Sequence, residues 1–275
     1  MHVYTNYNDE FYLQEFGSQT AARIPILAGR ELLSNQSWFK FPNAYHNISL
    51  RGYSPPDLCE TIIDAVTFDI VKKYHPIRGI YDSRINWALS RLSMTVCDGV
   101  VAGYISTPLD DGECEIINVS YNGDELTFGE IERHQIGASA FYATYDHIRK
   151  CMHRICVTVD DSNSIIVKDI EGYFDVKVER TVNYSDIAVY NGRLILFSND
   201  GYQHIFDNGS ESVVASGNLE SLRYVVVYGH IAIYFASEHD VYAERIEAYD
   251  MRNGDTFAIG LADDRMARSM LIEIV

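Results

Sequence analysis

Hydrophobic and polar positions change rhythm several times along the chain. Ile48 and Leu50 alternate with polar neighbours in NISLRGY, which predicts a strand. Ser54 before Pro55, Pro56 and Asp57 reads as an N-cap with prolines in the opening turn. Leu58, Ile62, Ile63, Val66 and Ile70 then recur at helical spacing, predicting a helix through LCETIIDAVTFDIVKKY that His75-Pro76 closes. DSRINWALSRL predicts a second, shorter helix from an Asp cap. SMTVCDG and VVAGYIST predict a hairpin turning at Asp98-Gly99, and CEIINVSY a third strand ending at Asn122-Gly123. GDELTFGEIERHQ is polar and reads as a loop. Ile136, Ala140, Phe141, Thr144, Ile148 and Met152 share one helical face, predicting a long helix to His153. RICVTVD is almost continuously apolar, as in a strand buried on both faces. Asp160 to Glu171 predicts a short helix, and FDVKVERTV and RLILFS a pair of strands.

From Asp200 the helical signal is lost. QHIFD, SVVAS, RYVVVYG, IAIYFA, ERIEAYD, TFAIG and MLIEIV are short strands between Gly, Asn, Asp and Ser. ERIEAYDMRNGDTFAIG resembles a hairpin from a propeller blade. One or two blades cannot close a propeller, so this region predicts a small all-β appendage. The first 45 residues have no regular period and read as an arm. The expected division is an arm over 1–45, a central domain over 46–199 and a β-rich extension over 200–275.

Charge narrows the partners. The chain of 275 residues carries 22 Lys and Arg against 39 Asp and Glu, a net −17, which repels phosphate backbones and anionic lipid. Nucleic acid and membrane are therefore not expected as partners. No apolar run is long enough to span a bilayer, and the N-terminal residues do not read as a secretory signal. The five cysteines lack CxxC spacing, which fits reduced thiols in a cytoplasmic compartment. His147 and His153 do not share a helical face, and no HExxH, GxSxG or P-loop is present, so no metal is expected. The 20 tyrosines predict protein partners or self-association through the Tyr-rich extension.

The order strand, helix, helix, hairpin, strand, long helix, buried strand, short helix, two strands resembles the GNAT superfamily of acyl-CoA N-acyltransferases over about residues 46–199. NISLRGYSPPDLCETIIDAV looks like that family's first strand and helix, CDGVVAGYIST like its second and third strands, and RICVTVDDSNSIIVKDIEGYFDV like its fifth strand and closing segment. The resemblance implies an α+β fold, a mixed, splayed central sheet flanked by helices and followed by the all-β appendage. It also implies a pyrophosphate loop opening the long helix at ERHQIGASA, where helix N–H groups hold phosphates. One register uses Gln135, Ala138 and Ala140; another ends on Gly137. Arg133, Gln135, Ile136, Gly137, Ala138 and Asn163 are then the cofactor-binding candidates for acetyl-CoA or another acyl-CoA.

By the same resemblance Glu115 is the candidate general base, with Glu113 the poorer choice, and Tyr173 the candidate general acid. The implied reaction moves an acyl group to a primary amine, and the acidic charge suits a cationic acceptor. The alternative is a GNAT-fold protein without catalysis, acting as a structural or interaction component of a larger assembly such as a tailed-phage virion. Its location would then be a virus particle rather than the cytoplasm.

Overall fold

The computed structural model describes the chain outside residues 1, 8–9, 16–20, 25–37, 52–56, 68, 78–89, 110–111, 138–139, 160–163, 179–183, 199–201, 208–209, 216–220, 238–244 and 260–267. Among the described residues there is no helix, and the regular structure is twenty-four β-strands in five sheets. Four sheets have four strands each, and the sheet of eight strands is two four-stranded meanders.

The strands fall into two compact units. One unit holds β1 (His2–Tyr7), β2 (Glu10–Glu15) and β3 (Ala21–Ile24), with the last strand, β24 (Arg268–Ile274), in the order β3-β2-β1-β24. It also holds the sheet of β16 (Tyr184–Tyr190), β17 (Arg193–Ser198), β18 (Tyr202–Asp207) and β19 (Ser210–Ala215). Its third meander is β20 (Ser221–Tyr228), β21 (Ile231–Ser237), β22 (Arg245–Asp250) and β23 (Thr256–Ile259). The other unit holds three meanders. The first is β4 (Trp38–Phe41), β5 (Ala44–Arg51), β6 (Asp57–Asp64) and β7 (Ile70–Pro76). The second is β8 (Arg91–Cys97), β9 (Val100–Pro108), β10 (Cys114–Tyr121) and β11 (Leu126–His134). The third is β12 (Ala140–Asp146), β13 (Cys151–Val159), β14 (Ile165–Asp169) and β15 (Asp175–Val178). The β12–β13 turn, Tyr145–Cys151, groups with the first unit. Consecutive antiparallel meanders, with β24 pairing against β1, define a β-propeller.

This all-β propeller corrects the α+β expectation and, with it, the GNAT resemblance. The helix expected through Leu58 and Ile70 is two strands, β6 and β7, in antiparallel register from Asp57↔Pro76 to Ile63↔Ile70. The long helix expected from Ile136 to His153 is β12, a tight turn and β13. The short helix expected to end at Glu171 is instead the strand β14 and its turn, with 160–163 outside the described residues. Most of the helix expected in DSRINWALSRL is also outside them, but Arg91 and Leu92 lie in β8. The physical reason is burial on both faces. Inner strands packed between sheets need no clean alternation, so Leu58, Cys59, Glu60, Thr61 and Ile63 are all buried in β6. A run of that kind mimics a 3.6 period by chance. The polar stretch read as a loop is β11, polar because it is an outermost, solvent-facing strand.

Each interior of the second unit is a layer between two sheets. Phe39, Ile48 and Leu58 pack with Val101, Ile105, Ile117 and Val119, and Tyr104, Cys114 and Ile116 pack with Phe141 and Cys156. Tyr104 stitches the second layer by donating its hydroxyl to the carbonyls of Tyr142, 2.9 Å away, and Ile155, 3.0 Å away. In the first unit Tyr190, Phe197, Tyr234 and Tyr249 form the corresponding layer. Tyr104 thus serves as a wide spacer whose polar end meets carbonyls, and Tyr234 as one whose hydroxyl meets the Glu247 carboxylate.

Candidate functional site

In four of the sheets a carboxylate or amide at the end of the third strand closes the following turn. Asp64 Oδ1 accepts the N–H groups of Val66 and Thr67, both at 2.8 Å. Asn122 Oδ1 accepts those of Asp124 and Glu125, Asp169 Oδ1 that of Glu171, and Asp250 Oδ1 that of Arg252. Asp207 occupies the same place at the end of β18. This recurrence of Asx turns is the repeat that sequence reading missed. It is hard to see because the intervening connections range from three residues, 199–201, to fourteen, 77–90.

Antiparallel meanders sort their connections. In the sheets whose four strands follow in chain order, the first-to-second and third-to-fourth strand turns leave from one end, and the second-to-third link and the link to the next sheet leave from the other. The first set is short and tight, as at Asp98-Gly99 and Asn191-Gly192, whose residues adopt positive φ. Beyond the two-residue link 8–9, the second set is 25–37, 52–56, 77–90, 109–113, 135–139, 160–164, 179–183, 199–201, 216–220, 238–244 and 260–267, which includes the longest connections. These segments carry fifteen Asp and Glu against five Lys and Arg in the sequence, so the acid excess is concentrated in them.

The sequence-predicted site residues are dispersed. Glu115 is buried on β10, and Arg133 on β11 lies directly across from it. Arg133 donates from Nε at 2.8 Å and from Nη2 at 2.7 Å to Glu115 Oε1. Glu115 Oε2 is buried without a hydrogen-bond partner. Gln135, Ile136 and Gly137 follow β11 outside regular structure, where Ile136 donates its N–H to the His134 carbonyl at 3.0 Å and no helix begins, and Ile136 packs against the Tyr104 layer. Glu113 precedes β10. Tyr173 lies in the β14–β15 turn, 60% exposed, with its ring edge-on to His153 at 5.2 Å. Ala138 and Asn163 lie outside the described residues. The structure therefore joins Glu115 to Arg133 and places Tyr173 on a different sheet.

The densest polar cluster was not anticipated. Glu60, buried on β6, receives the hydroxyl of Tyr121 at Oε1, where His46 Nδ1 also lies 3.1 Å away. His75 Nε2 sits 3.2 Å from Oε2 and Lys73 Nζ 3.9 Å from it. Burial alone would raise the Glu60 carboxyl, but hydrogen bonds from His46, Tyr121 and His75, with the Lys73 charge, outweigh it and hold the group at about 2. Burial, and then the Glu60 carboxylate, push the Tyr121 phenol well above its ordinary value. Neither Glu60 nor Tyr121 exchanges a proton near neutrality, and their hydrogen bond ties β6 to β10 across two sheets. Within one sheet, a buried contact joins His153 Nδ1 on β13 to Asp169 Oδ2 on β14 at 2.5 Å. Burial likewise pushes the Cys114 thiol up to about 12 and the Cys156 thiol up to about 11, leaving both unreactive. All five cysteines are free thiols. Among the described residues no group of His, Cys, Asp and Glu is arranged to hold a metal ion. No helix among them is long and apolar enough to cross a membrane.

No protein-family model and no curated protein matches the chain. Among solved structures it is similar to the β-propeller domain of the Trilobed protease from Pyrococcus furiosus, with 11% identity, 95% of this chain and 81% of that chain covered, and a TM-score of 0.48. It is also similar to a Trypanosoma rangeli sialidase, with 11% identity, 97% and 54% covered, and a TM-score of 0.49. The computationally designed Ika8 protein is similar at 11% identity, 84% and 88% covered, with a TM-score of 0.43. The strand pairing of this chain carries the propeller assignment, and nothing among these findings supports an acyltransferase.

Proposed function

We propose that this protein is a β-propeller recognition module, without catalysis, that engages a basic protein or peptide through the long connections of its sheets. The observation that supports this most is the concentration of fifteen acidic against five basic residues in those connections. Loops on a rigid scaffold are where binding residues accumulate, and clustered carboxylates attract and orient a cationic partner. Four ionisable groups favour binding over chemistry: Glu60 and Tyr121 are tuned away from neutral pH, and burial raises the thiols of Cys114 and Cys156.

The test is fluorescence anisotropy with a labelled oligolysine peptide. Binding is expected at low ionic strength, weakening as salt screens it. Neutralising Asp110, Asp111, Asp263 and Asp264 to Asn should weaken binding by about tenfold, while Asp124→Asn with Glu125→Gln at a short turn should not. Absence of binding, or equal loss in both variants, overturns the proposal.

A further inference from the structure

The outer strands of propeller sheets expose unpaired backbone groups, and proteins guard such edges with charge. β3 carries Arg23, β7 carries Lys72 and Lys73, β11 carries Glu130, Glu132 and Arg133, β15 carries Asp175 and Lys177, and β19 carries Glu211. Among the described outer strands β23, Thr256-Phe257-Ala258-Ile259, alone has no charged residue. Its Thr256, Phe257 and Ala258 are exposed, with Phe257 46% accessible.

We infer that β23 is a self-association edge, pairing antiparallel with β23 of a second copy about a two-fold axis. The backbone fixes the register. Asp250 donates its N–H to the Asp255 carbonyl at 2.8 Å, and β22 pairs with β23 as Tyr249↔Thr256, Ala248↔Phe257 and Glu247↔Ala258. Hydrogen-bonded and non-hydrogen-bonded pairs alternate from that bond, so Phe257 exchanges bonds with Ala248 while the N–H and C=O of Thr256 and Ala258 turn away from β22. Two copies then join by exchanging bonds between Thr256 of one and Ala258 of the other, twice. Phe257 falls on the two-fold axis in a non-hydrogen-bonded pair with its own counterpart, the position where cross-strand aromatic pairs approach most closely. An isologous interface needs such self-complementarity.

Charge selects the occupant. A basic partner would find no carboxylate on the strand, whereas a second copy meets no like charge opposite. Asp255 comes to lie across from Ile259 of the other copy, and the two Asp255 residues are separated by about four residues of strand, beyond a Debye length at physiological salt. The remaining obstacle is long-range repulsion between two chains of net charge −17, which salt screens. Association through β23 therefore strengthens as salt rises, the opposite of the trend expected for oligolysine at the connections, so the two proposals fail independently.

Sedimentation velocity on the full chain tests this. A dimer fraction is expected that grows with protein concentration and with salt. Ala258→Pro removes only an outward-facing N–H, so it should leave the thermal midpoint near wild type while weakening dimerisation by about tenfold or more. Phe257→Lys and Phe257→Glu should each be monomeric, and their mixture should recover a dimer. A wild-type protein that stays monomeric at high concentration and high salt overturns the inference. So does a dimer that persists unchanged in Ala258→Pro, or a mixture of the two Phe257 variants that fails to associate.

Discussion

Two acidic side chains in the interior are displaced in opposite directions because they face different neighbours. Glu60 faces hydrogen-bond donors and sits at about 2. Asp186 lies at a β-bulge in β16, and its Oδ2 accepts the N–H of Val225, which a second bulge in β20 leaves out of the strand register. Its Oδ1 accepts the N–H of Ile187 at 2.8 Å. Burial pushes the Asp186 carboxyl up to about 7, the two backbone donors only moderating it. The folded value of Glu60 is below its unfolded value of 4.5, so its stabilisation is present above that pH and is lost as pH falls towards 2. The folded value of Asp186 is above its unfolded value of 3.8, so its stabilisation is full below that pH and is lost as pH rises through 7. The thermal midpoint is therefore expected to peak near pH 4, to fall between about pH 4 and about pH 7, and to level off above that. Asp186→Asn should flatten that fall and leave the acid limb intact. A wild-type midpoint that holds level from about pH 4 to about pH 7 would contradict the assignment.

One turn is tied to another turn of the same unit. Asp146, fully buried at the end of β12, accepts four N–H groups: Ile148 and Arg149 in its own turn, Asn191 at 3.0 Å and Gly192 at 2.7 Å in the β16–β17 turn. Asp146→Ala leaves those donors unpaired and should cost about 3 kcal/mol in urea unfolding. Gly192 has φ of +73°, and an added Cβ would meet the Arg149 guanidinium, which can swing aside. The left-handed backbone remains, so Gly192→Ala should cost about 1 kcal/mol. Chevron or equilibrium curves that rank the two equally would refute this ordering. These turns explain what was legible in the sequence. Asp98-Gly99, Asn122-Gly123 and every strand expected after residue 200 are present because turn chemistry is local. The segments from Leu58 and from Ile136 misled because strands buried on both faces hide their period, and their turns, Asp64–Asp69 and Asp146–Lys150, contain no Gly to mark them. The Glu115–Arg133 pair shows the same limit. Its members stand opposite across a strand pair that begins in a stretch read as loop, while the Glu60 cluster draws on β5, β6 and β7 and on Tyr121 of β10, 61 residues from Glu60.

A chain built from repeated meanders must settle what its first and last strands pair with. Here β24 completes the sheet that β1 begins, in register from His2↔Ile272 to Asn6↔Arg268. The terminal Val275 donates its N–H to the Lys40 carbonyl at 3.1 Å and packs against the Phe39 layer. That sheet therefore joins residues at opposite ends of the sequence, and its order depends on the last strand more than on any local signal. Removing residues 268–275 strips β1 of its partner and exposes the edge that β24 covered, leaving three strands where an intact sheet has four. The truncated protein is expected to unfold at a clearly lower temperature and to be cut sooner by protease within β1 to β3. A synthetic peptide of residues 267–275 should restore the midpoint in trans, because an added strand recovers the same backbone bonds and side-chain pockets. A truncation that melts with the full chain would show that closure through β24 contributes nothing. Rescue by a scrambled peptide of the same composition would show that the β1 edge accepts any strand, and that the register with β24 does not select its partner.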